Sequence, residues 1–298
     1  MFRTLAIAAA LSLLAAPLAL AKPAKKVTEP ADDKYLEPFP AHHVAGNIYY
    51  VGTVGQANYL VTTSQGNILI NSGVEGDVPL IKDSIAKLGF KYGDTKILLI
   101  SHAHFDHDAG SAQIVKDTGA KYEVMDSDVP VVQSGGKEDF NYGDKGGKNI
   151  YPAVKVSRVL HDGDTVSLGG TVLTAHKTPG HTKGCTTWTM KVNEGGKRLD
   201  VVFVGSPNVN PGYVLVGNKK YPGIVQDYEK TFQILKSLPV DIFLGAHGDY
   251  YGMKAKYAKL KPGSPNPFID RDGYKAYIAD REAAFRKNLA GQQAGGEP

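Results

Sequence analysis

Cysteine is almost absent from this chain. Cys185 is the one thiol among 298 residues, which excludes an intramolecular disulfide. Such a chain relies on its hydrophobic core and on any metal it binds. A surplus of one charge sign is lacking as well. The net charge is +4, and Arg3, Lys22, Lys25 and Lys26 account for all of it. The folded body is therefore close to neutral and has no basic stripe for nucleic acid. No low-complexity tract or short-period repeat interrupts the sequence.

The longest hydrophobic run is short. Residues 5–20 are nearly all Ala and Leu, behind a single positive charge at Arg3 and ahead of Ala19-Leu20-Ala21. A spanning helix needs about 20 apolar residues, whereas a short apolar run before a small-x-small site reads as a secretory signal peptide. Residues 1–21 are thus expected to be removed, leaving no stable membrane association and a periplasmic protein. Residues 22–40 read as a polar, mobile lead-in, and residues 41–298 as one domain. Hydrophobic residues make up 42% of the chain, enough for a core in a body of about 260 residues. Nothing in the sequence sets an oligomeric state.

Strand-like runs come early, at 47–51, 58–62 and 67–71, separated by Gly-containing turns. Residues 77–88 have helical spacing, with Val78, Ile81, Ile85 and Leu88 recurring. Residues 96–100 are a short apolar run of the buried-strand type. A helix is expected from 111 to 116 and a strand from 121 to 125. A second set of strands follows at 158–160, 165–168, 171–176, 186–192 and 200–204, then a helix at 224–238, a strand at 241–246 and a helix at 274–289. The alternation suggests two βαβ-rich halves packed sheet to sheet.

The chemistry lies at the end of the 96–100 run. Ser101-His102-Ala103-His104-Phe105-Asp106-His107 places four metal-binding side chains within six residues. Neutral imidazole and carboxylate are zinc ligands, and crowding four of them carries repulsion and desolvation costs that a folding core avoids. His102 and His104 are two apart, so an extended segment points both the same way. Asp106 and His107 follow after the chain begins to turn and can face a second ion. Two more His stand at strand ends. Pro179-Gly180-His181 presents one from a fixed turn. In Gly245-Ala246-His247-Gly248, small neighbours leave room for a cofactor. Cys185 reads as a packed thiol. His42, His43, His161 and His176 remain unassigned.

The order H-x-H-x-D-H, T-P-G-H-T and G-A-H-G resembles the metallo-β-lactamase superfamily, over most of the mature chain. The resemblance implies an α/β fold, a four-layer αββα sandwich, with two Zn2+ in a cleft at its edge. It implies that His102, His104 and His181 hold the first zinc, and Asp106, His107 and His247 the second. Many hydrolases of the superfamily carry a metal-bridging Asp after a strand ending in F-x-G. Here Phe203-Val204-Gly205-Ser206 puts Ser206 at that place, which resembles subclass B3. Gly184-Cys185-Thr186-Thr187-Trp188 and Asn210-Pro211-Gly212-Tyr213 agree. One stretch departs: Gly205-Ser206-Pro207-Asn208 stands where well-known B3 members have A-D-S-x-S/T.

The resemblance implies a secreted dizinc hydrolase that opens the β-lactam ring of penicillins, cephalosporins and carbapenems. Asp106 would orient the attacking water and Tyr213 would donate to the oxyanion. Ser206 and Asn208 would meet the substrate carboxylate. A lactonase or thioesterase on the same fold is the alternative enzyme, disfavoured by Ser206. A non-catalytic periplasmic zinc-binding protein is the alternative outside enzymes. It would need saturated metals, whereas three His on the first zinc leave a fourth position open.

Overall fold

Seven strands form the first sheet in chain order: β1 (His42–Ala45), β2 (Ile48–Tyr50), β3 (Tyr59–Thr63), β4 (Gly66–Ile70), β5 (Thr95–Leu99), β6 (Lys121–Met125) and β7 (Arg158–Leu160). The computed structural model describes residues 33–298, so the signal peptide expected at 1–21 lies outside the described residues. Strands β1 to β4 pair antiparallel and β4 to β7 parallel. Parallel neighbours need crossovers. Helix α1 (Asp77–Lys87) joins β4 to β5. The short α2 (Phe105–Asp108) and then α3 (Ser111–Thr118) join β5 to β6, and α4 (Val129–Ser134) leads away from β6.

The second sheet contains β8 (Thr165–Leu168), β9 (Thr171–Lys177), β10 (Thr186–Glu194), β11 (Lys197–Val204) and β12 (Ile242–Gly245), in the order β12-β11-β10-β9-β8. Strands β8 to β11 are an antiparallel meander, and only β11 and β12 run parallel. Their crossover carries α5 (Ile224–Ser237). Helices α6 (Met253–Lys259) and α7 (Arg271–Gln293) complete the chain. The second half is therefore not βαβ-rich as the sequence suggested. The two-residue turns Gly169-Gly170 and Gly195-Gly196 and the loop at 178–185 join neighbouring antiparallel strands directly, with no crossover helix between them.

Side-chain alternation sets the layers. Tyr59, Val61, Ile68, Ile70 and Leu99 of the first sheet share a core with Leu173, Ala175, Trp188, Met190, Val201 and Phe203 of the second. Leu60, Leu69 and Leu98 point the other way and pack with Val78, Ile81 and Ile85 of α1 and Ile114 of α3. Tyr228 and Phe232 of α5 and Tyr274, Ile278 and Phe285 of α7 cover the second sheet. The result is the four-layer αββα sandwich. Each large side chain so buried contributes about 1.5–3 kcal/mol. The sheets bring the ends of β5, β9, β11 and β12 to one edge.

Four elements escaped the sequence reading. Strand β1 has only four residues, HHVA. Helix α2 also has four and lies inside the His cluster. Helix α4 begins with a Pro in its first turn, where the missing N–H costs nothing. Helix α6 has seven residues, MKAKYAK, with Met253 alone buried. The described end of the segment expected as a lead-in is held by the body. Gly55 N donates to Lys34 O at 2.9 Å, Val54 N donates to Glu37 O at 2.9 Å, and Pro38 bridges Thr53. Residues 34–38 are thus bonded to the turn after β2.

His42 is buried at the rim of this core. Its ring stacks on Tyr50 and Phe268, Nδ1 donates to Pro40 O at 2.8 Å, and Nε2 has no partner. Burial pushes its pKa down to about 4. The unfolded chain therefore binds this proton first as pH falls. His42 contributes its full stability above its unfolded pKa of 6.5 and loses it as pH drops toward about 4. The expected result is that His42→Phe removes about 2 kcal/mol of the stability difference between pH 7 and pH 4.5. Urea unfolding of metal-free parent and variant at both pH values measures it. Equal acid sensitivity in the two proteins would contradict a buried neutral His42.

Candidate metal centre

The His cluster leaves β5 in extended backbone and turns into α2. His104 has φ −94° and ψ 153°, so His102 and His104 project to one side, as their spacing predicted. Their rings are 4.8 Å apart, and each lies within 4.7 Å of the His181 ring. One ligand atom from each of the three comes within 4.8 Å of the others. Asp106, His107 and His247 form a second set. Their facing atoms are separated by 3.1 Å (His107 Nε2 to His247 Nε2), 3.3 Å (His107 Nε2 to Asp106 Oδ2) and 3.6 Å (His247 Nε2 to Asp106 Oδ2). Tetrahedral zinc with bonds of about 2.0–2.1 Å spaces its ligand atoms about 3.4 Å apart. His102 also lies within reach of Asp106 and His107, so the two sets share a wall.

The outer ring nitrogens decide which lone pairs face inward. His181 Nδ1 donates to Asn208 O at 2.8 Å and His247 Nδ1 to Gly55 O at 3.0 Å. His102 Nδ1 meets Ser101 Oγ at 3.1 Å. His104 Nε2 faces Asp139 Oδ2 at 3.6 Å. In His181 and His247 the remaining nitrogen, Nε2, is left as an acceptor, the form a metal ligand requires. Burial first, then mutual repulsion, holds His102 well below the ordinary imidazole pKa. Burial and His104 do the same for His181, and burial pushes His107 down to about 3. These rings are neutral at pH 7 and fit zinc. For His104 burial opposes the proton, but Asp139 outweighs it and raises the pKa. Burial likewise opposes ionisation of Asp106, and His107, His247 and His104 overcome it.

Local sequence explains the loops. Gly180 has φ +128°, and a Cβ there would lie 2.8 Å from the Tyr228 ring. The small residues around His247 serve a different purpose from the one expected. A Cβ on Gly245 would strike Tyr250 at 2.9 Å and one on Gly248 would strike Met253 at 2.9 Å. The space belongs to protein side chains, not to a cofactor. Cys185 is buried, with Sγ 3.6 Å from Ser206 O, a packed thiol as read.

The other candidates sit as follows. Asn208 lines a cleft of about 530 Å³ together with Asp106, His104, His181, His247 and Tyr250, a size that suits a small molecule. Its Nδ2 donates to Tyr250 OH at 2.9 Å. Ser206 is buried behind them, with Oγ 3.2 Å from Tyr250 OH. Tyr213 is also buried, and its hydroxyl donates to His181 O at 2.8 Å. That bond holds the His181 loop and takes up the proton that an oxyanion would need.

Sequence reasoning missed Asp128 and Asn71. Buried Asp128 accepts from Ala103 N at 2.9 Å, Thr182 Oγ1 at 2.8 Å and Gly184 N at 2.8 Å, so one carboxyl ties the His102–His104 loop to the His181 loop. Burial pushes its pKa up to about 6. Asn71, with φ +66°, accepts from Ser101 N at 2.7 Å. Asn tolerates that left-handed conformation better than most residues, which is the one local signal at either position.

The sequence profile of the metallo-β-lactamase superfamily matches residues 51–247. Among solved structures, the chain is 54% identical to the FEZ-1 metallo-β-lactamase from Legionella gormanii. That match covers 86% of this chain and 98% of the other, with a TM-score of 0.85. BJP-1, a subclass B3 metallo-β-lactamase of Bradyrhizobium japonicum, is 44% identical, with 88% and 98% covered and a TM-score of 0.83. LRA-12, a class B3 di-zinc metallo-β-lactamase from an Alaskan soil metagenome, is 36% identical, with 88% and 99% covered and a TM-score of 0.81.

Asp128→Asn tests the tie between the loops. An amide oxygen replaces two acceptors, so at least one buried donor loses its partner, at about 1–3 kcal/mol. The expected result is a lower unfolding midpoint without metal and zinc held roughly 10-fold less tightly at the three-His set. Thermal unfolding and competition against a chromophoric chelator measure the two effects. Unchanged zinc affinity would show that the tie does not position the ligands.

Proposed function

The chain belongs to the metallo-β-lactamase superfamily and is a hydrolase of its zinc-dependent β-lactamase class; we propose that it is exported and opens penicillins, cephalosporins and carbapenems with two zinc ions. One observation carries the reading. In a chain 54% identical to a metallo-β-lactamase, the six expected ligand side chains converge in two adjoining sets. LRA-12, itself a di-zinc enzyme, supports the stoichiometry. Support for export comes from the signal-like residues 1–21. No helix among the described residues is long and apolar enough to cross a membrane.

His102, His104 and His181 would hold the first zinc, and Asp106, His107 and His247 the second. Bound zinc lowers the pKa of water to about 7 and withdraws charge from a carbonyl oxygen or a departing nitrogen. The rest falls to the chain. Asp106 lines the cleft as an ionised carboxylate and accepts a hydrogen bond from the attacking water, aiming it at the ring carbonyl. The water oxygen bonds to the carbonyl carbon, the C–N bond breaks, and the nitrogen ends protonated. Tyr142, whose hydroxyl accepts from Asn210 Nδ2 at 3.0 Å, packs edge-on to His104 and forms part of the cleft wall. The substrate carboxylate meets the Asn208 amide and the Tyr250 hydroxyl. Ser206 acts behind them by holding the phenol, and Tyr213 acts as a positioning residue for His181.

Purified protein assayed against a penicillin, a cephalosporin, a carbapenem and an acyl lactone, with and without chelator, tests the reading. β-Lactam hydrolysis abolished by chelator and restored by zinc is expected. Asp106→Asn keeps the size of the side chain but weakens both of its roles, and should lower the rate on the order of 10²-fold or more. Zinc content must be measured alongside, because metal loss would imitate a catalytic defect. A fully metallated Asp106→Asn working at the parent rate would refute the mechanism.

A further inference from the structure

Gln56 stands in the turn between β2 and β3, far in sequence from every motif. Its side chain is fully buried, and Nε2 donates to Asp106 Oδ2 at 3.2 Å. The neighbouring Gly55 O accepts the His247 Nδ1 proton at 3.0 Å. One turn therefore touches two of the three side chains in the second set. The turn is itself anchored. Gln56 N donates to Thr53 Oγ1 at 3.1 Å, and Tyr50 OH bonds to Gln56 O at 3.0 Å. Ala57 N donates at 3.1 Å to the carbonyl of Ala246, the residue before His247.

The other end of the amide is the telling part. Gln56 Oε1 is buried and has no partner. A leucine or methionine of similar volume would avoid that cost, since an unpaired buried carbonyl is unfavourable by about 1–3 kcal/mol. An amide kept under such a penalty marks its donor half as the part in use. The donor falls on Oδ2, the Asp106 oxygen that lies 3.3 Å and 3.6 Å from the facing nitrogens of His107 and His247. From this geometry we infer that Gln56 is a positioning residue for the second metal. It locks the plane of the Asp106 carboxylate so that Oδ2 stays at ligand spacing from both imidazoles.

The effect is confined to one site. The outer nitrogens of His102, His104 and His181 rest on Ser101, Asp139 and Asn208, none of which belongs to the turn. Loss of the Gln56 donor should therefore leave the first zinc untouched. This inference rests on the dizinc reading.

The test is a zinc titration of metal-free parent and Gln56→Met against a chromophoric chelator, with the unfolding midpoint of each metal-free protein recorded. The parent is expected to take up two equivalents. In Gln56→Met the second equivalent should bind about 10-fold more weakly or worse, with the first within about 2-fold of the parent and the midpoint equal or higher. Gln56→Asn, which keeps the amide but withdraws it by one methylene, should give the same split and serves if the Met variant fails to fold. A parent that binds one equivalent under saturating zinc refutes the dizinc reading itself. A parent that binds two, beside folded variants that bind both with parental affinity, overturns the role of Gln56. Equal weakening of both equivalents also overturns it, because that is the signature of a general structural defect.

Discussion

The hydrogen bonds on the outer faces of the clustered imidazoles are the interaction on which the candidate site depends. A neutral imidazole has one donor and one acceptor nitrogen. In His181 and His247 the outer Nδ1 donates to a backbone carbonyl, so the tautomer is fixed and Nε2 is the acceptor; His102 Nδ1 meets Ser101 Oγ and His104 Nε2 faces Asp139. His107 differs, since its Nδ1 is buried without a partner. It is oriented through its backbone instead, His107 N donating to His104 O at 3.0 Å and His107 O accepting from Ser72 N at 3.0 Å. Burial keeps His102, His107 and His181 neutral, and five converging imidazoles are a poor core but a good ligand set.

Everything that supplies those oxygens comes from the sandwich edge. Asn208 follows β11, Gly55 follows β2, and Ser101 follows β5. Asp139 comes from the loop after α4. No local stretch builds the site. Trp188 in β10 donates to Ile100 O at 3.0 Å, and Thr186 N donates to Ser101 O at 2.7 Å, so the second sheet grips the loop that carries the ligands of the first. Asp128 adds the link to His181. The packing of sheet on sheet is therefore part of the proposed metal site, and metal binding there would be linked to the folded state.

The candidate ligands were legible in the sequence because their residue types cluster there. His102, His104, Asp106 and His107 are local, and His181 and His247 sit beside glycines at strand ends. The strand and helix pattern was also readable, since β6, β7 and β8 begin and end where alternation and turn residues place them. What stayed hidden was the layer behind the ligands. Asp128, Asn71 and Gln56 act across separations of tens of residues, and a buried Asp or Gln in a loop has the same local look whether it solvates a turn or orients a ligand. Ser206 and Tyr213 are the instructive cases. The motif places them near the metals, but only the fold reveals that both hydroxyls are already engaged, Ser206 with Tyr250 and Tyr213 with His181 O. Likewise the glycines flanking His247 make room for Tyr250 and Met253, a packing requirement that spacing alone resembles but does not identify.

The central claim is that the chain alone presets two separate metal positions. Crystals grown from zinc-loaded protein and measured on both sides of the zinc absorption edge test it most directly. The account predicts two anomalous peaks about 3.5–4 Å apart, one bonded by His102, His104 and His181 and the other by Asp106, His107 and His247. A single peak at saturating zinc, or a peak bonded by a different set of side chains, would contradict it.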